Sequence, residues 1–145
     1  MIIKKILSKT ANLLFPGRCT ICDKVIGTDR GICSMCEPMV QTLSGDVCMR
    51  CGKRINDGKV YCYDCMRRSH EFERNFSVFA YPVIKDSLYR FKYQGRAEYA
   101  AYYAKQAVLL HGRRLEELNA DALVPIPLHR FRQRKRGYNQ SEELA

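Results

Sequence analysis

Cys19-Thr20-Ile21-Cys22, Cys33-Ser34-Met35-Cys36, Cys48-Met49-Arg50-Cys51 and Cys62-Tyr63-Asp64-Cys65 hold all eight cysteines of the 145-residue chain. Each C-x2-C turn presents two sulfurs to one metal, and two such turns complete a tetrahedron. Four turns therefore predict two structural metal sites, with Cys19, Cys22, Cys33, Cys36, Cys48, Cys51, Cys62 and Cys65 as ligands. The spacing repeats as well. Ten residues separate Cys22 from Cys33, and ten separate Cys51 from Cys62. Residues 19–36 and 48–65 align without a gap, with Ile26 on Ile55 and Ile32 on Tyr61. This is an internal duplication of a knuckle, a short hairpin and a second knuckle, which is a minimal zinc ribbon. Both a sequential and a crossed pairing of the four turns satisfy the spacing.

Zinc competes with iron, disulfides and a redox dithiol as readings of these cysteines. Disulfides need an oxidising compartment. The N-terminus has Lys4 and Lys5 but no signal-type apolar run or cleavage site. That favours a reducing, cytoplasmic setting and zinc, although four thiolates also accept iron. The metal is the main source of stability for so short a segment. A structural zinc supplies on the order of 10–16 kcal/mol, against about 1.5–3 kcal/mol for burying a side chain such as Ile26 or Ile55.

Composition bounds the remainder. Lys and Arg number 25 against 15 Asp and Glu, a formal charge of +10. Thiolate ligation of two zinc ions brings the chain to about +6. Such a surface either solvates the protein or meets a polyanion. No apolar run reaches transmembrane length.

The chain divides into four parts. Residues 1–18 read as an amphipathic lead helix, with Ile3, Leu7, Ala11 and Leu14 at helical spacing before Pro16-Gly17. Residues 19–65 are the double ribbon and 66–75 a polar linker. From 76 the pattern changes. Phe76 to Tyr81 alternates like a strand, and Ile84, Leu88 and Phe91 mark a helix face. A second helix starts near Ala97, with Ala100, Tyr103, Ala107 and Leu110 on one side. Leu123-Val124-Pro125-Ile126-Pro127 reads as a buried strand, and its prolines favour a strand end or a sheet edge, where a missing N–H costs little. The fold class is thus a metal-stapled double zinc ribbon followed by part of an α/β domain, residues 76–145.

Five of the seven residues from Arg130 to Arg136 are Lys or Arg. Asn139 with Glu142 reads as a capping box. A basic loop then leads into a helix N-terminus, an arrangement that attracts phosphate. The bland alternative is a solvated basic loop. The second functional reading is nucleic-acid binding. Arg130, Arg132, Arg134, Lys135 and Arg136, with Phe131 and Tyr138 interleaved, would track a single strand, and Arg50, Lys53, Arg54 and Lys59 lie on the second ribbon.

The chain resembles the ComF family of bacterial DNA uptake, proteins with a double zinc ribbon and a type I phosphoribosyltransferase-like domain. Leu14-Phe15-Pro16-Gly17-Arg18-Cys19 is similar to the family's entry to its ribbons, and the four C-x2-C pairs follow. Phe91-Lys92-Tyr93-Gln94-Gly95-Arg96 resembles a second family segment. Val124-Pro125-Ile126-Pro127-Leu128, Arg132 and Arg136-Gly137-Tyr138-Asn139-Gln140-Ser141 resemble a third, the most specific one. The resemblance implies that Lys92, Arg132, Arg136, Gly137, Tyr138 and Asn139 bind phosphate or pyrophosphate. It also implies a later D-D-x-x-T-T-G-like loop for the ribose 5′-phosphate, which residues 1–145 do not contain. The expectation is therefore a fragment or truncated form, inactive as a transferase and with no catalytic residue of its own. Mg2+ and phosphoribosyl pyrophosphate would be cofactors of a full-length form only. The implied partners are single-stranded DNA and a DNA-uptake helicase or other competence protein. A zinc-ribbon module that binds nucleic acid or docks protein, without enzymatic activity, is the alternative.

Overall fold

The computed structural model describes residues 16–27, 30–40, 43, 45–56 and 58–145. The expected lead helix lies almost wholly outside them. The duplication is visible in the backbone, bond for bond. Isolated antiparallel bridges join Arg18 to Val25 and Val47 to Arg54, the same two places in each copy. The Cys19 N–H donates to the Lys24 carbonyl and the Cys48 N–H to the Lys53 carbonyl, both at 2.8 Å. Thr20 donates to Gly31 at 2.9 Å, and Met49 to Val60 at 3.0 Å. Each copy turns its first knuckle through a left-handed residue, Asp23 (φ 62) in one and Gly52 (φ 71) in the other. Glycine adopts that conformation freely, whereas aspartate does so at a steric cost. The second knuckles continue into a 3-10 turn, Glu37–Met39, and a short helix α1, Tyr63–Arg67.

Four further helices follow: α2 (Tyr81–Tyr93), α3 (Tyr99–Glu117), α4 (Arg130–Arg136) and α5 (Gln140–Leu144). Pro82 sits in the first turn of α2, where a missing N–H is harmless. Ile84, Ser87 and Phe91 form its buried face. Gln94 caps its end, and Gly95 at φ 67 turns the chain toward α3. On α3 the buried residues are Tyr99, Ala100, Tyr102, Tyr103 and His111. Ala100 and Tyr103 are thus buried as the sequence predicts, while Ala107 and Leu110 are only half-buried. Helix α5 packs on α3.

The principal core spans ribbon and helices together. Cys19, Ile32 and Cys36 cluster with Phe91, Tyr99, Ala100, Tyr102 and Tyr103, and Phe79 and Leu88 pack at its edge. A separate small cluster holds Cys48, Cys62 and Cys65, with Cys51 and Ile55 against it. The polar segment after α1 is strapped to this second ribbon. The Asn75 N–H donates to the Arg50 carbonyl at 2.7 Å.

Three expectations are corrected. Phe76 to Tyr81 pairs as no regular strand among the described residues. Leu43 donates one bond to the Val78 carbonyl at 2.9 Å, and α2 already begins at Tyr81. Leu123–Pro127 is neither paired nor buried, with Leu123, Val124 and Ile126 at 73%, 80% and 77% exposure. Pro125 and Pro127 have no N–H to offer a neighbour. The Ile126 carbonyl accepts from Asn139 Nδ2 at 3.0 Å and Ser141 Oγ at 2.6 Å instead of from another strand. The basic loop, finally, is the helix α4. Arginine, lysine and glutamine are good helix formers. The Gly137 N–H closes the helix on the Gln133 carbonyl at 2.8 Å, with Gly137 left-handed at φ 86. Beyond residue 75 the described residues are therefore helical with connecting segments.

Candidate metal centres and a cationic cleft

The cysteines assemble into two groups, Cys19/Cys22/Cys33/Cys36 and Cys48/Cys51/Cys62/Cys65, with the sulfurs of each group within 4.8 Å of one another. Pairing is sequential, which decides a point the spacing left open. Tetrahedral zinc with Zn–S bonds of about 2.3 Å places its sulfurs about 3.8 Å apart. Cys22 and Cys33 sulfurs are 3.8 Å apart, and those of Cys51 and Cys62 are 3.7 Å apart. Both sites therefore fit a structural zinc with four protein ligands and no open position for chemistry.

Backbone donors prepare the thiolates. The Cys33 N–H lies 3.4 Å from the Cys19 sulfur. The Cys36 N–H is the main influence that brings the Cys33 thiol down to about 7. Burial pushes Cys48 up, but the N–H groups of Cys51, Cys62 and Arg50 outweigh it and bring it down to about 6. Burial raises Cys22, Cys36, Cys51 and Cys65. A metal entering at neutral pH must then displace protons from these four. Zinc loading at pH 7.5 is expected to release protons into a weakly buffered indicator solution. Affinity should rise with pH and fall on acidification through about 7 and about 6, where Cys33 and Cys48 also protonate. Zinc affinity that stays constant between pH 5 and 8 would contradict this.

Sequence reasoning missed a set of residues that grips the first knuckle. Ser87 Oγ donates to the Thr20 carbonyl and Arg90 to the Ile21 carbonyl. Tyr99 donates to Asp23 Oδ1 at 2.5 Å, and the Arg96 guanidinium lies 3.0 Å from each carboxylate oxygen. Arg18 adds a contact at 3.4 Å. Burial raises the Asp23 carboxyl, but Tyr99, Arg96 and Arg18 outweigh it and hold the group below the usual carboxylate range. Asp23 thus links site one to α3. The available signal was the copy comparison, since aspartate stands where the other copy has Gly52. His70 is a second omission: its Nε2 lies 3.5 Å from the Cys65 sulfur, within reach of an N–H···S contact to the second site.

The residues expected to bind phosphate separate into two roles. Lys92, Arg132 and Arg136 converge with Lys135 on a cleft of about 710 Å³, walled by Tyr89, Tyr93 and Gly95. Arg136 lies over the Tyr93 ring at 5.3 Å and donates to Gln140 Oε1. Gly137, Tyr138 and Asn139 instead build the seat. Tyr138 donates to the Phe91 carbonyl, and Asn139 caps α5 by accepting from the Ser141 N–H at 3.2 Å. Glu142 meets the Asn139 amide at 3.0 Å, so the expected capping partners do meet. Helical geometry also divides the cations proposed for nucleic acid. Arg132, Lys135 and Arg136 share the cleft face, whereas Arg130 and Arg134, four apart, lie on the opposite side of α4.

Comparison with known proteins agrees with the cysteine geometry. Residues 10–66 match the double zinc ribbon domain. The chain is 30% identical over 138 residues to DNA utilization protein YhgH of Escherichia coli K12. It is 31% identical over 124 residues to competence protein ComFC of Bacillus subtilis, and 26% over 119 to competence protein F of Haemophilus influenzae. These matches cover 92%, 81% and 79% of the chain but only 60%, 51% and 51% of the relatives. The resemblance to the ComF family therefore stands. No solved structure matches the chain. Among the described residues no helix is long and apolar enough to cross a membrane.

Proposed function

We propose that the chain serves DNA uptake or utilisation in the cytoplasm as a zinc-stapled unit. Residues 76–145 would supply part of a phosphoribosyltransferase-like domain that binds phosphoribosyl pyrophosphate through its phosphates without turning it over. The cleft of Lys92, Arg132, Lys135 and Arg136 carries this reading. Its volume suits a small phosphorylated ligand. Arginine forks match phosphate oxygens two at a time, and Arg136 is held ready by Tyr93 and Gln140. Among the described residues no carboxylate lines the cleft, so those side chains offer magnesium no ligand. The relatives' names, DNA utilization and competence, support the process, and single-stranded DNA and other uptake proteins are the partners it assigns.

Calorimetry with pyrophosphate and with phosphoribosyl pyrophosphate tests the cleft. Arg132→Ala with Arg136→Ala is expected to weaken both ligands by roughly ten- to a hundredfold, with zinc content unchanged. Magnesium-dependent pyrophosphate release that survives purification and disappears in Arg136→Ala would show a working transferase and overturn the non-catalytic reading.

A further inference from the structure

The two ribbon copies share a backbone but not a surface, and the difference has a direction. In the first copy Gly31 lies against Tyr102 and Ile32 is buried in the shared core. In the second, Val60 and Tyr61 stand at the same places and are 59% and 41% exposed. Tyr63, opposite Ser34 of the first copy, is 64% exposed. Cys62 between the tyrosines has an extended backbone and turns its buried sulfur inward to the site, so its neighbours project outward. Each ring has a guanidinium over it: Arg50 lies 5.4 Å from Tyr61 and Arg67 lies 5.2 Å from Tyr63. Charge follows the same division. Residues 48–68 carry six Lys or Arg against two Asp, whereas the equivalent residues 19–39 carry two against three acids.

We infer that the first ribbon is the structural copy and the second binds a single-stranded nucleic acid on its Tyr61/Tyr63 face. Exposed aromatic rings offer stacking platforms to bases regardless of sequence. Arg50 and Arg67 beside them supply forked donors to the phosphates between stacked bases. A peptide groove would need apolar depth, whereas this face carries charge, and its positive excess complements a polyanion. The site is separate from the cleft between α2 and α4 and does not rest on the reading of that cleft.

The first copy supplies the test, because its own residues at these places are compatible with the ribbon backbone. The triple variant Arg50→Ile, Tyr61→Ile, Tyr63→Ser transplants them. Binding of fluorescein-labelled oligothymidine is read by anisotropy on the full chain, with zinc per chain measured in parallel. The triple variant is expected to keep its zinc and lose about 30-fold or more in affinity. Arg50→Ala with Arg67→Ala should flatten the salt dependence by about 1.4 in log–log slope, two phosphates' worth. The cleft variant Arg132→Ala, Arg136→Ala should change affinity less than about twofold. Should the triple variant lose its second zinc, Tyr63→Ser alone reads the same contact, with about fivefold loss expected. Unchanged affinity in the zinc-loaded variants would overturn the assignment. So would the absence of oligothymidine binding by the wild-type chain at low salt, which would leave the face to a protein partner. A loss confined to the cleft variant would also overturn it and place the strand on α4.

Discussion

Cys36→Ser is expected to unfold the first ribbon and strip hydrogen-exchange protection from α2 and α3, whereas Cys65→Ser should unfold the second ribbon alone. Cys36 is a metal ligand and a member of the core cluster with Phe91, Tyr99 and Tyr102. Losing its zinc removes on the order of 10–16 kcal/mol, which matches or exceeds the whole stability of an ordinary domain, about 5–15 kcal/mol. The helices lose the surface on which their tyrosines pack. Cys65 lies in a cluster made almost entirely of its fellow ligands. That cluster is tied to the chain beyond it by bonds such as Asn75 to the Arg50 and Cys51 carbonyls. Its loss should therefore stay local, in the manner of a separately opening unit. Zinc analysis should find one ion left in each variant, and exchange on α2 and α3 amides separates the two cases. Full protection of those amides in Cys36→Ser would mean that the helices hold a core of their own.

The second large effect is expected at Asp23. Asp23→Ala should cost about 4 kcal/mol, combining a lost charged contact to Tyr99, Arg96 and Arg18 with a left-handed alanine. Two further substitutions separate these causes. Asp23→Gly keeps the turn as the second copy does at Gly52, and removes only the carboxylate. Asp23→Asn keeps a residue that tolerates positive φ and removes only the charge. Each should cost about 2 kcal/mol. Urea melts of the zinc-loaded variants should therefore order wild type above Asn and Gly, and Ala last. Because the folded carboxyl is held below its ordinary value, its contribution is fully present above that value and is lost as pH falls through the folded one. Zinc release begins at higher pH, so the melts belong near neutrality. An alanine variant as stable as wild type would show that Asp23 does not fasten the ribbon to α3.

Much of this molecule was legible from local chemistry. The C-x2-C turns, the 29-residue offset between copies and the Asn139 cap all act within a few residues of themselves, and all three recur in the structure. The errors came where a local pattern had two solutions. Arg130–Arg136 was dense enough in charge to read as a loop, yet Gly137 supplies a helix end and the cationic side chains favour the helix. Leu123–Pro127 had the apolar content of a strand, but its Ile126 carbonyl went to the side chains of Asn139 and Ser141.

Sequence alone determined the two four-cysteine sites and the duplication, because thiolate number and spacing dictate metal geometry whatever surrounds them. Tertiary structure decided everything that depends on which surface meets which. It made the pairing sequential, joined the first copy to α2 and α3 through Asp23 and the tyrosines, and left Tyr61 and Tyr63 of the second copy facing outward. Two copies with nearly the same backbone cannot declare from their spacing which will be buried. That choice is made by side chains far away in the chain, where Ser87, Arg90, Arg96 and Tyr99 find partners on one knuckle only.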